Sequence, residues 1–187
     1  PTSNGIGGDL FALVWDGTAL HGLNGSGRSP LAWTPDRFAG RPSMPQTGWD
    51  SITVPGAVEA WARLSKRFGK LSFKKLFQPA ISYAREGFHV GPITSVRWRE
   101  AAETYRDFPE FSRTFLVKGL PPETGQRFRC PDQADTLERI AGSGSEDFYR
   151  GELAARIAAA SKSSGGALSL KDLESQRSQW VDPLSIN

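Results

Sequence analysis

Cysteine is nearly absent from this chain, and that scarcity removes whole classes of chemistry. Cys130 is the only one among 187 residues, so no disulfide closes within the chain and no cysteine cluster holds a metal. Histidine is almost as rare: His21 and His89 stand far apart and lack metal-ligand spacing. No run of about 18 apolar residues exists, so no segment reads as a membrane span. A block of like charge is missing too. The net charge is +3 and the isoelectric point about 9.2, but Lys and Arg are scattered among Asp and Glu, without the basic stripe or aromatic motif of a nucleic-acid binder. There is no initiator Met and no leader before Pro1-Thr2-Ser3-Asn4-Gly5, and Trp180 to Asn187 reads as the approach to another strand. Both ends read as cut, as in a piece of a longer protein. A leader would precede Pro1, so the sequence does not choose between cytoplasm and periplasm.

What is present suffices for a folded domain. Hydrophobic residues make up 38% of the chain, and six Trp with eleven Phe are far more than a disordered segment carries. Leu10 to Trp15 is a short apolar run, followed by the hairpin signal Asp16-Gly17, and Ala19 to Leu23 reads as the returning strand of a buried hairpin. From Pro55 onward the pattern is helical. Pro55 suits a first helical position, with Val58, Trp61, Leu64 and Phe68 on one face and Gly69 as the stop. Ser72 is an N-cap candidate for a helix whose face is Phe73, Leu76, Phe77, Ala80, Ile81 and Ala84, ending at Gly87. Further helices are expected from Pro92 to about Tyr105, from Pro131 to about Ala141, from Glu146 to Ser163 with a break at Gly151, and from Leu170 to Glu174 under a Ser169 cap. Gly- and Pro-rich loops at 39–50 and 118–127 separate them. The fold class is therefore α+β, predominantly α-helical. A two-stranded hairpin is marginal alone in water, so these strands should add to a larger sheet.

Three stretches invite a chemical reading. Gly5-Ile6-Gly7-Gly8-Asp9 lacks the Lys-Ser/Thr of a phosphate cradle and precedes a strand, so a tight turn with close backbone packing explains it better. Asn24-Gly25-Ser26-Gly27-Arg28-Ser29-Pro30 places small residues, a hydroxyl and a guanidinium at a strand end, where an Arg can grip a carboxylate bidentately; an ordinary loop with a solvated Arg fits as well. Ser51-Ile52-Thr53-Val54-Pro55-Gly56 is a strand-to-helix junction. Two histidines of unknown neighbours define no Ser-His-Asp arrangement. The residues alone thus yield an α+β segment with a small anion pocket near Arg28 as its candidate site, or else a non-enzymatic helical binding module.

Taken in order, several motifs resemble one family. They are Pro1-x-Ser3-x-Gly5-Ile6-Gly7-Gly8 before an apolar strand, Val54-Pro55-Gly56-Ala57, Gly69-Lys70-Leu71, Pro79-Ala80-Ile81, and Ala84-x-x-Gly87-Phe88-x-Val90. Phe148-Tyr149-Arg150-Gly151, Gly165-Gly166, Leu170-x-Asp172-Leu173 and Trp180 continue the series. Their order and spacing resemble the large-subunit part of the γ-glutamyltranspeptidase family. The resemblance implies an αββα N-terminal-nucleophile fold, made as an autoprocessed zymogen whose freed Thr attacks an amide carbonyl while its α-amine serves as base. It places that Thr in a small subunit downstream of Asn187, so no catalytic residue lies in this chain. It also implies a single partial domain over 1–187, with residues 1–30 supplying sheet strands and the pocket loop and 51–187 a mainly helical layer. Ser26, Gly27 and Arg28 become the substrate-binding candidates; no cofactor and no metal is implied. The expected partners are the small-subunit portion of the same precursor and a small-molecule amide, with self-association of the isolated segment and no nucleic acid or membrane. Where γ-glutamyl enzymes carry an Arg for the substrate's α-carboxylate, this sequence has Ser26, with Arg28 two places later. That departure, with Gly8-Asp9, resembles the oxamate amidohydrolase and cephalosporin-acylase-like branch, which implies amide hydrolysis rather than γ-glutamyl transfer.

Overall fold

A computed structural model of the chain describes residues 5–186. Pro1 and Ser3 of the N-terminal motif, like Asn187, lie outside the described residues. In chain order come β1 (Leu10–Trp15), β2 (Leu20–Gly25), α1 (Ala57–Phe68) and α2 (Phe73–Glu86). Then follow β3 (Phe88–His89), α3 (Pro92–Thr104), α4 (Pro109–Phe115) and β4 (Arg127–Phe128). The remainder is α5 (Pro131–Ser143), α6 (Glu146–Arg150), α7 (Glu152–Ser163), α8 (Leu170–Ser175) and β5 (Gln179–Val181). The chain divides into two compact units, Lys74–Glu138 and Gly5–Phe73 with Arg139 onward.

In the larger unit the hairpin forms as its turn chemistry dictates. Gly17 takes a positive φ of 103°, and the Asp16 carboxylate accepts from the backbone N–H of Thr18 and Ala19 at 2.8 Å each. β1 and β2 pair antiparallel with Leu10 opposite Gly25 and Trp15 opposite Leu20. β5 adds on the other side of β2, giving the order β1-β2-β5. The returning strand runs to Gly25, two residues past the sequence expectation, because Asn24 pairs with Gln179. A turn-prone Asn-Gly is extended here by a long-range ladder. Leu23 is buried where β2 meets α1, with Val54, Val58 and Ala60. On the other face Phe11, Leu13 and Trp15 are 70, 67 and 63% exposed, so the hairpin expected to be buried is covered on one side only by the described residues.

α1 begins at Ala57 with Gly56 as N-cap, not at Pro55. Gly56 N and Ala57 N both donate to the Gly8 carbonyl (3.1 and 2.9 Å), and the Pro55 carbonyl accepts from the Tyr149 hydroxyl at 2.8 Å. These tertiary bonds hold Pro55 outside the helix. Glu146–Ser163 does break at Gly151, where the Asp147 carboxylate accepts from the Glu152 N–H at 2.7 Å. Ser169 and Asp172 cap α8 reciprocally, satisfying orphan donors of its first turn.

In the smaller unit α2 ends at Gly87, whose φ of 98° and N–H bond to the Tyr83 carbonyl (3.0 Å) match the expected C-terminal stop. Val90, Trp98 and Phe128 form its core, with the Trp98 and Phe128 rings 4.6 Å apart. β3 and β4 pair as two-residue strands. They and α4 are too short to leave a periodic signal.

Candidate functional site

The structure brings the three stretches singled out in the sequence to one place, at the C-terminal end of β2. The Gly27 N–H donates to the Asp9 carboxylate at 3.0 Å and the Ser26 N–H to the Asn24 side-chain carbonyl at 2.9 Å. The Arg28 carbonyl accepts from the Val54 N–H at 3.0 Å. Three residues on, the Leu31 N–H donates to Asp172 Oδ1 at 2.8 Å. Residues 26–31 are thus pinned through their main chain to Asp9 just before β1, to the 51–56 junction and to α8.

Glycine is required at two of these contacts. A β-carbon on Gly27 would overlap the Val54 carbonyl, and one on Gly56 would overlap the Gly25 carbonyl. Neither conflict arises from φ; backbone simply occupies the space.

The side chains behave oppositely. Ser26 and Arg28 are exposed, and among the described residues neither the Ser26 hydroxyl nor the Arg28 guanidinium makes a hydrogen bond or ion pair. A fixed backbone carrying a free hydroxyl and a free guanidinium two residues apart can receive a carboxylate without breaking an existing side-chain contact. At the nearby N-terminus of α1 the Gly56 and Ala57 N–H groups are spent on the Gly8 carbonyl, and the Glu59 N–H donates to the Tyr149 hydroxyl at 3.0 Å.

The roles of several supporting residues, named in the sequence only as parts of motifs, emerge from the structure. Asp9 and Asp172 hold the loop, and Tyr149 locks the junction. Burial raises the Tyr149 phenol above its ordinary range, keeping the proton it donates to Pro55. Burial also pushes the Asp172 carboxyl upward, but hydrogen bonds from the Ser169 hydroxyl and from the Leu31 and Ser169 N–H groups outweigh it and hold it below the usual carboxylate range. Gln176 and Ser178 are buried, their Nε2 and Oγ unpartnered among the described residues, beside the close contact of Gly25 with Gly56. Only the Ser169-x-x-Asp172 cap pattern offered a local signal for any of these.

Neither histidine activates a nucleophile among the described residues. His21 Nε2 lies 2.6 Å from Asp16 and its Nδ1 3.0 Å from an Arg67 nitrogen. Arginine only donates, so Nδ1 accepts and Nε2 carries the proton to Asp16. His89 Nδ1 bonds the Gly125 carbonyl at 2.9 Å. Among the described residues no group of three or more His, Cys, Asp or Glu side chains is placed to hold a metal, and no helix is long and apolar enough to cross a membrane.

The chain is similar to known proteins over its whole length. Residues 1–187 match the family described as gamma-glutamyltranspeptidase. The glutathione hydrolase-like YwrD proenzyme of Bacillus subtilis is 35% identical over 188 residues, covering 99% of this chain and 36% of that protein. The oxamate amidohydrolase proenzyme of Klebsiella pneumoniae is 34% identical over 194 residues, covering 100% of this chain and 37% of that protein. Among solved structures, cephalosporin acylase from Bacillus halodurans superposes with a TM-score of 0.94 at 43% identity, covering 100% of this chain and 36% of that one. The chain thus spans about a third of the length of these relatives, 36 to 37%. With the α+β fold shared and the family match running from the first residue to the last, the chain belongs to the γ-glutamyltranspeptidase family.

Proposed function

We propose that the parent protein is an autoprocessed N-terminal-nucleophile hydrolase that cleaves an amide bond in a small acid. In this reading the nucleophilic Thr lies downstream of residue 187, its hydroxyl attacking the amide carbonyl and its α-amine taking the proton. The present segment contributes strands to the αββα sandwich, a helical layer and one wall of the substrate pocket. Ser26, Gly27 and Arg28 face the substrate's carboxylate, the Arg28 guanidinium as the fork and the Ser26 hydroxyl as a second donor. The remainder of the precursor covers the apolar face of β1. The carrying observation is the loop itself, clamped by Asp9, Val54 and Asp172 while Ser26 and Arg28 stay free. A Ser in the place of the γ-glutamyl Arg favours simple hydrolysis over transpeptidation, in keeping with relatives named for oxamate and cephalosporin.

The test is Arg28→Ala in the full precursor, assayed for hydrolysis of oxamate and of γ-glutamyl-p-nitroanilide. Losing a charge-assisted contact of about 1.5–3 kcal/mol raises KM about tenfold or more for the accepted substrate, with kcat changed less. If neither KM nor kcat moves for any accepted substrate, the loop is not the carboxylate subsite.

A further inference from the structure

Away from the 26–31 loop, the larger unit holds an open cavity of about 930 Å3 with no loop residue in its lining. Its walls are the length of α1 beyond Glu59, the turn at 71–73, the start of α6 and the residues around β5. Five cationic side chains line it (Arg63, Lys66, Arg67, Arg150 and Arg177) against two carboxylates, Glu59 and Glu146. Both carboxylates are engaged. Glu59 accepts from Arg63 at 2.6 Å and from the Ser178 N–H at 2.7 Å, and Glu146 accepts from Arg150 at 2.8 Å.

With Arg63 and Arg150 paired in this way, the excess charge lies on Lys66, Arg67 and Arg177, and the guanidinium groups beside it are held in place. Arg150 and Arg177 each donate to the carbonyl of Glu174 at 3.0 Å, so two guanidinium groups converge on one neutral oxygen. Arg177 is fixed further by the Gln176 carbonyl at 2.6 Å. Arg67 lies 4.3 Å over the Trp180 ring while bonding His21. Lys66, exposed on α1, makes no hydrogen bond or ion pair among the described residues. Neighbouring cations that share one carbonyl repel each other, and an oxyanion between them removes that repulsion while using their spare N–H groups. Because the guanidinium groups are already immobilised, little side-chain freedom remains to be lost on binding.

We propose that this cavity binds a small multiply charged oxyanion, a phosphate or a polycarboxylate, gripped by Arg150 and Arg177 with Lys66 as an outer charge. The cavity shares no lining residue with the 26–31 loop. The test uses the full precursor at low ionic strength, titrated calorimetrically with inorganic phosphate and, separately, with citrate. Saturable binding of one or both is expected, the stronger arm identifying the ligand class. Arg177→Gln weakens it about tenfold, as loss of one charge-assisted fork requires. Lys66→Ala, which breaks no hydrogen bond or ion pair among the described residues, weakens it about threefold through charge alone and leaves the melting temperature of the unliganded protein unchanged. Absence of saturable binding by either anion, or equal affinity in the wild type and both variants, overturns the proposal.

Discussion

Gly27 stands where the Val54 carbonyl leaves no room for a side chain. Gly27→Ala must therefore move the 26–31 loop or the 51–56 junction, at about 1–3 kcal/mol by analogy with overpacked cores. The full precursor carrying it should melt lower and show a raised KM. Gly7→Ala is the control, since nothing lies within 4 Å of its Cβ position, and it should stay within about 0.5 kcal/mol of wild type. Equal melting temperatures for the two variants would show that the Gly27 contact relaxes freely. The positions of Ser26 and Arg28 at a strand end were legible in the sequence, because a Gly-rich loop after a strand has few other readings. Asp9 and Asp172 were not, since a carboxylate reveals its partner only when a residue 18 or 141 positions away is folded against it.

Among the elements, α8 has more than a capping function. Its Asp172 side chain closes the Ser169 cap with one oxygen and ties Leu31 with the other. The Asp172 pKa is lowered in the folded state, so the tether's stability is fully present above the unfolded carboxyl value of about 3.9 and is lost as pH falls through the folded value. Amide exchange of Leu31 should therefore be slow near neutrality and accelerate, relative to intrinsic rates, only in acid below about pH 4. Asp172→Ala should remove that protection at neutral pH. Protection unchanged in the variant would mean that the 2.8 Å bond contributes nothing to loop order. Helices α2, α3, α5 and α7 were read from spacing to within a residue or two of their ends, because each carries a local stop or start: Gly87, Pro92, Pro131, Gly151. The start of α1 was misplaced, because the Gly8 carbonyl and the Tyr149 hydroxyl set it, and both are distant in sequence.

At the largest scale, the sheet of the larger unit has three strands among the described residues, β1 at its edge, with Phe11, Leu13 and Trp15 exposed on one face and Leu20 and Val181 beside them at 46 and 44%. An apolar face next to an unpaired edge associates when nothing covers it. The isolated chain should therefore sediment as dimers or larger species at micromolar concentration, and Leu13→Lys with Trp15→Lys should shift it toward monomer. A monomeric wild-type chain would contradict the reading that this face belongs against the rest of a precursor.

Composition and spacing determined that the chain is an α+β segment rich in helix, where most helices start and stop, and which loop to watch. Those are local properties, written in capping residues, glycines and apolar periods. The tertiary structure alone decided that Asp9, Val54 and Asp172 converge on residues 26–31, that Ser26 and Arg28 are left free, and that Arg150 meets Arg177 at the Glu174 carbonyl. Such contacts join residues far apart in sequence, and no short-range pattern encodes a hydrogen bond whose partner arrives only when the strands and helices pack.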